Sequence, residues 1–241
     1  MRIVAILQAR LNSTRLPGKI LLPLAGKSML QNIVERVQRA TRPNDIVLAV
    51  PQVDAPELAP VANGRAWLYS YAGDEADLVG RYCAAACAFG ADLIVRIPCD
   101  NPCVDPAYID EAITDYLDGV YTFFSNTTVS VEHNGRWTEV DGVGCEVFSI
   151  SRLKWLDRIT QGQPELREHP HKYFYDRRAY DYDMPDHGIE FGFESADIRL
   201  DVNTQADYDF IKTIYDHFGH HRFTTQEVLH ALRQRTQKVA S

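Results

Sequence analysis

Residues 3–19 read IVAILQARLNSTRLPGK. The first part, Ile3–Gln8, is a β-branched-rich run of buried-strand length. It empties into a polar loop that carries Arg10, Arg15 and Lys19 among small residues. A first strand of an α/β sheet hands an anion to a loop in this way. Backbone amides around Asn12, Ser13 and Thr14 suit phosphate oxygens, the three cations suit their charge, and Gly18 lets the backbone come close. An exposed basic turn is the plain structural alternative. The nearby Gly26-Lys27-Ser28 is not the end of a phosphate-binding P-loop, because that pattern needs a glycine where Leu21 stands.

Working outward, Ser28 is expected to cap a helix with Met29, Leu30, Ile33, Val34 and Val37 at helical spacing, stopped by Pro43. Asp45–Val50 reads as a second strand, Pro56–Ala62 as a short helix and Trp67–Tyr71 as a strand ending at Gly73. Asp74 is expected to cap a helix from Glu75 to Phe89, with Gly90 terminating it. Asp92–Ile97 is a further buried strand and Tyr108–Leu117 a helix. This alternation predicts an α/β fold of Rossmann-like form, a mostly parallel sheet with helices on both faces. Beyond residue 117 the pattern loosens. Gly119–Ser125 and Gly144–Ile150 read as strands around a loop containing the turn signal Asn134-Gly135. Residues 161–192 are polar with little periodicity. Ile198–Val202 reads as a last strand, followed by helices over Thr204–Phe218 and Thr225–Gln234. One domain over 1–241 is expected, with 121–195 as a subregion for an acceptor or a second copy.

Charge is unevenly placed. Residues 1–42 carry eight Lys/Arg against Glu35 alone, while the whole chain has 25 basic and 33 acidic residues. Basic charge concentrated at one end of an acidic chain favours a small, highly charged anion over a nucleic-acid backbone. No apolar stretch approaches the ~20 residues of a membrane span. Ile3–Leu7 is too short for a signal peptide and Arg10 follows at once, so a cytoplasmic location is expected. The five cysteines, 83, 87, 99, 103 and 145, are odd in number and form no C-x-x-C pair, which favours a reducing compartment over disulfides or zinc. Cys83 and Cys87 are expected in the core of an Ala-rich helix. His217, His220 and His221 are expected at a solvated helix end.

Two more strand ends carry chemistry. In Arg96-Ile97-Pro98-Cys99-Asp100-Asn101-Pro102, Asp100 follows a buried strand between turn-fixing prolines. A single carboxylate facing a triphosphate is a natural Mg2+ ligand; a turn-capping role is the alternative. In Arg199-Leu200-Asp201-Val202-Asn203-Thr204, Asp201 and Asn203 share one side of an extended segment, and either could complete that site. Helix capping by Asn203 or Thr204 is the competing role.

QARLNSTRLPGK, VRIPCDNPCVDP and RLDVNTQADYDFI together resemble the CMP-sugar synthetase-like cytidylyltransferases, nearest to the SpsF-like spore coat polysaccharide branch and related to the acylneuraminate and 3-deoxy-manno-octulosonate enzymes. The resemblance runs over residues 2–219. GDEADLVGRYCAAACAFGAD, DGVGCEVFS and ELREH add to it. It implies a nucleotidyltransferase that moves CMP from CTP to an acidic sugar or similar acceptor with release of pyrophosphate. It implies that Arg10, Ser13, Arg15 and Lys19 bind the phosphates, that Gln8, Ala9, Asn12, Thr14 and Arg96 complete the nucleotide site, and that the Gly73–Asp77 segment, with Gly73, Asp74 and Asp77, lies near cytosine and ribose. Arg10, Lys19 and Asp100 would be catalytic, and Asp100 would hold Mg2+ with Asn203 or Asp201. Glu146, Arg167, Glu168 and His169 would border the acceptor, with Arg136, Arg167, Lys172 and Arg177 available for its carboxylate. Relatives are often dimers. Asn12, Cys99 and Asn203 depart from the family's usual Gly, Gly and Asp. Alternatives are another NTP, a phosphorylated or phosphonate acceptor, a non-catalytic nucleotide binder, or a glycosyltransferase using Asp181-Tyr182-Asp183.

Overall fold

A computed structural model describes residues 1–119, 121–133, 135–170, 173–174, 189–190 and 196–239. Its first strand, β1 (Ile3–Gln8), is the centre of the molecule. Side chains alternate across a strand, and here both faces are apolar: Ile3, Ala5 and Leu7 enter one buried cluster, Val4 and Ile6 another. Two buried faces require cover on both sides. After the short β2 (Pro23–Leu24) and β3 (Lys27–Ser28), α1 (Met29–Val37) covers the first face. Ser28 Oγ accepts from the Gln31 amide at 3.1 Å and sets its start. β4 (Asp45–Pro51), α2 (Ala55–Ala62) and β5 (Trp67–Tyr71) follow.

α3 (Leu78–Ala88) covers the second face. It begins three residues later than the sequence suggests. Asp77, not Asp74, is its cap, accepting from the Gly80 amide at 2.8 Å, whereas Asp74 accepts from Ala76 in a local turn at 2.9 Å. Two aspartates three apart compete for the start, and the one preceding the first buried apolar residue, Leu78, takes it. β6 (Leu93–Pro98) and α4 (Pro106–Asp118) complete the regular half.

The second half adds β7 (Phe123–Ser125), the hairpin β8 (Thr128–His133) and β9 (Arg136–Asp141), β10 (Glu146–Ser149), α5 (Ile150–Ile159) and α6 (Pro164–Glu168). β11 (Ile189–Glu190), β12 (Ile198–Arg199), α7 (Gln205–Phe218) and α8 (Thr225–Val239) follow. The seven-stranded sheet runs β11-β7-β10-β6-β1-β4-β5, with β10 antiparallel to both neighbours and the rest parallel. The expected mostly parallel sheet with helices on both faces is therefore present. The β8–β9 hairpin, read as loop from the sequence, forms a separate sheet with β12. The last strand ends at Arg199 rather than Val202, because Val202 donates instead to Asp100 O at 2.7 Å.

Cys83 is half-buried and Cys87 exposed, so neither is a core residue as expected; Cys99, Cys103 and Cys145 are buried. His221 does not sit free at a helix end: its Nδ1 lies 3.4 Å from Glu35. Among the described residues no helix is long and apolar enough to cross a membrane.

Candidate active site

The carboxyl ends of β1 and β6 open into a cleft of about 820 Å³. Its upper wall is the loop after β1. Leu11 anchors that loop: its amide donates to buried Asp54 at 2.9 Å, and its carbonyl accepts from the Ser13 and Gly18 amides, each at 3.0 Å. Ser13's amide, which the sequence offered to phosphate, is instead engaged inside the loop. Gly18 takes φ 69°, a left-handed conformation that glycine adopts without strain, and turns the chain so that Lys19 starts a short 3-10 helix.

Arg10, Ser13, Thr14, Arg15 and Lys19 all line the cleft, with Gln8 and Ala9. Lys19 Nζ donates to Val202 O at 2.6 Å and lies 3.5 Å from Asp100. Arg15 donates to Asn203 Oδ1 at 2.6 Å. Arg10 reaches across to Glu168 at 3.3 Å. Three cations from ten residues of sequence therefore meet residues 81 to 188 positions away. Asn12 lies outside the cleft lining and ties the loop to Glu75 at 3.2 Å.

The three strand-end stations converge. Asp100, Asp201 and Asn203 line the same cleft. Helix capping does not occupy Asn203's side chain, because Thr204 caps α7 in a reciprocal capping box with Asp207. Asn203 Nδ2 instead donates to Asp201, whose carboxylate also receives Arg199 through two bonds of 3.1 and 3.0 Å. Among the described residues no group of three or more His, Cys, Asp or Glu could hold a metal.

The floor is a buried ion pair. Arg96 and Glu146 are cross-strand partners on β6 and β10, 2.6 Å apart and each under 5 % exposed. Burial alone would lower the Arg96 pKa, but the Glu146 carboxylate more than offsets this and raises it. Glu168 and His169 line the cleft. Arg167 and Asp77 do not. They bond each other at 2.9 Å, and Arg167 also holds Asp157 at 2.8 Å, pinning α6 to α3 and α5. Burial would raise the Asp77 pKa, yet the bonds from Arg167 and the Gly80 amide hold it below the usual range. Gly73 and Asp74 also lie outside the lining. Arg136 stands at the tip of the β8–β9 hairpin, five residues and roughly 16 Å of strand from the cleft end at Asp141, so it does not serve the cleft. Lys172, Arg177 and Asp181-Tyr182-Asp183 lie outside the described residues.

Sequence reasoning missed Arg81, Thr127, Thr128 and Asp141, which also line the cleft. Asp141 arrives because Gly142, at φ 85°, lets β9 pass so close to Leu200 and Asp201 that a Cβ there would meet the Asp201 amide at 2.7 Å. Burial raises the Asp141 pKa; the Thr128 hydroxyl at 3.0 Å opposes this, and the Asp201 charge adds to it.

The arrangement sets three cations beside a carboxylate at the switch in strand order, where β1 lies between β4 and β6. Relatives share it. The chain is 27% identical over 223 residues to the spore coat polysaccharide biosynthesis protein SpsF of Bacillus subtilis, covering 90% of this chain and 88% of that one. Over 113 residues it is 38% identical to 3-deoxy-manno-octulosonate cytidylyltransferase of Geobacter sulfurreducens, covering 47% of this chain and 44% of that enzyme. A solved cytidylyltransferase from Leptospira borgpetersenii superposes with a TM-score of 0.81 at 26% identity, over 98% of this chain and 96% of that one. Residues 4–235 match the cytidylyltransferase family, and the chain belongs to that family of nucleotidyltransferases.

Proposed function

We propose that the protein transfers CMP from CTP to an acidic sugar or similar acceptor and releases pyrophosphate, in the supply of glycan precursors. The observation that carries this is the convergence of Arg10, Arg15 and Lys19 on a cleft that also holds Asp100, with Lys19 3.5 Å from that carboxylate. Each cation is bonded to a group that a phosphate oxygen outcompetes: a half-exposed carboxylate, an amide oxygen and a carbonyl. The acceptor class follows the 3-deoxy-manno-octulosonate relative, and the biosynthetic setting follows that enzyme and the spore coat relative.

In the proposed reaction an acceptor oxygen forms a bond to the α-phosphorus of CTP, and the bond to the bridging oxygen of pyrophosphate breaks in line. Such transfer needs positioning and charge neutralisation more than covalent help. Arg10, Arg15 and Lys19 would hold the β- and γ-phosphates and stabilise charge on the leaving pyrophosphate. Arg96 and Glu146 would keep the floor rigid beneath the acceptor, beside Glu168 and His169.

The donor set fits Mg2+. Asp100 supplies one hard oxygen donor facing the cleft, and Mg2+ characteristically takes one or two carboxylates and completes its shell with phosphates and water. Asp201 or Asn203 would complete the site only by releasing the bonds they now share. Bound there, the ion would supply charge neutralisation at the α-phosphate.

Pyrophosphate release should be measured with each of the four NTPs, with Mg2+, over a panel of sugar acids. CTP-dependent release with a sugar acid is the expected result. Release with UTP alone would overturn the choice of nucleotide, and sugar transfer without pyrophosphate would overturn the reaction class.

A further inference from the structure

The edges of the sheets are built differently. An edge strand presents unpaired N–H and C=O groups, and natural edges are blunted by brevity, charge, proline, a bulge or a covering element. In the seven-stranded sheet the edge strand β11 is two residues long. In the smaller sheet the edge strand β8 carries Glu132 and is covered by α8, whose Gln226 donates to Glu132 O at 3.1 Å. β5, the other edge of the large sheet, reads Trp67-Leu68-Tyr69-Ser70-Tyr71. It has no charge and no proline, and its register with β4 runs without a bulge.

The backbone of β5 decides what this edge accepts. Tyr71 O accepts from the Gln52 amide at 2.8 Å, on the β4 side. Backbone groups alternate sides along a strand, so Trp67, Tyr69 and Tyr71 turn theirs toward β4, and Leu68 and Ser70 turn theirs outward. Lay a second β5 antiparallel to the first, about a two-fold axis at Tyr69. Leu68 of each copy then faces Ser70 of the other, and each such pair exchanges both bonds. The same register sets Trp67 opposite Tyr71 and Tyr69 opposite Tyr69, all on one face of the joined sheet. Aromatic pairs directly across two strands attract one another. Trp67, 60 % exposed and resting on Phe89 with ring centroids 6.2 Å apart, is covered by this pairing.

The flanks of β5 match in the same orientation. Arg65 precedes the strand and exposed Asp74 follows it. Antiparallel pairing brings the basic end of each copy to the acidic end of the other. Val53, 80 % exposed, follows Gln52 and so stands beside the Tyr71 end, where Trp67 of the other copy arrives. We infer that β5 is an interface with a second copy of this chain, which joins two seven-stranded sheets into one about a two-fold axis at Tyr69. This edge lies across the sheet from β7, β10 and β11. Among the described residues, those lining the cleft include none from β5, and antiparallel strands aim the two clefts in opposite directions. Each copy therefore keeps a complete site.

Sedimentation of the full chain at micromolar concentrations tests this. The wild type should show twice the 27.3 kDa chain mass. Ser70→Lys puts a charge on the exposed edge, as blunted edges do, and should raise the dimer dissociation constant at least about tenfold, with circular dichroism unchanged. A cross-link reads the register independently of how that variant folds. In a background carrying Cys83→Ser and Cys87→Ser, with the other three cysteines buried, Tyr69→Cys should link two chains when treated with oxidised glutathione. The two-fold pair at 69 lies about 4.5 Å apart between Cα atoms, within reach of a disulfide. Ser70→Cys in the same background should not link, because its copy is displaced along the strand beyond the roughly 7 Å limit. A wild type that stays monomeric would overturn the proposal and leave the edge to a strand of another protein. A dimer that keeps its dissociation constant in a folded Ser70→Lys, or that links through residue 70 rather than 69, would overturn it as well.

Discussion

The two ends of the central sheet treat their polar groups in opposite ways. At the amino ends of the strands the groups close on one another. Arg2 reaches Asp45 at 2.8 Å, its amide meets Asp92 at 2.6 Å, the Ile3 amide meets Asn44 at 2.7 Å, and the Trp67 indole donates to Asp45 at 3.1 Å. A depression of about 470 Å³ lies at that end, and its charged lining residues, Asp45 and Arg65, are already paired. At the carboxyl ends, Arg10, Arg15 and Lys19 hold replaceable partners, and Arg81 holds too few. Cavities exist at both ends; unmet hydrogen-bonding demand exists at the one beside the basic loop. That difference, more than cavity volume, marks the carboxyl ends as the candidate site.

The largest expected effect comes from breaking the floor of the cleft. Glu146→Ala strands the Arg96 charge in a buried position, and losing one member of a buried pair typically destabilises by about 3–5 kcal/mol. A melting temperature lower by roughly 10 °C in a thermal scan is expected for a chain of this size. An unchanged melting temperature would show that Arg96 finds another partner.

Next is the open end itself. Lys19→Ala removes a charge-assisted contact and should weaken CTP binding by about a hundredfold, read by titration, with the fold retained in circular dichroism. Affinity within twofold of wild type would remove Lys19 from the phosphate grip.

The closed end should act on stability alone. Burial pushes the Glu35 carboxyl up, but Lys27, Gln31 and Arg65 together hold it down at about 2, from an ordinary value of 4.5. A carboxyl whose pKa is depressed on folding contributes stability above the unfolded value and loses it as pH falls through the folded one. Between pH 4.5 and 2 the wild type should therefore lose more melting temperature than Glu35→Gln. Equal losses would mean that the pairs contribute nothing. The smallest effect belongs to Asp45→Asn, which weakens one ion pair whose arginine is half exposed, expected at about 1 kcal/mol or less, with CTP affinity unchanged.

Much of the fold was legible because its first half is written in apolar runs. Ile3–Gln8, Asp45–Val50 and Asp92–Ile97 are buried on both faces, and such strands announce themselves without alternation. The β8–β9 hairpin was not legible. One of its faces is solvated, with Trp137 64 % exposed, so its apolar residues never form a run. The stations at residues 8–19, 100 and 201–203 were visible as charge at strand ends; that they meet depended on Val202 bonding Asp100, a contact no local pattern encodes. Arg81 was not singled out from the sequence. Its signal was its place on the apolar stripe with Leu78, Tyr82 and Ala85. Arg167 stood in the most polar segment and proved to be a clamp, because a charged motif in sequence does not say which charges answer one another.

The most direct test is a crystal structure with CTP and Mg2+. The triphosphate is expected against Arg10, Arg15 and Lys19 with the metal on Asp100 and the Arg10–Glu168 pair broken. Nucleotide seated in the depression at the amino ends of the strands, or a triphosphate turned away from the basic loop, would contradict the assignment of the site.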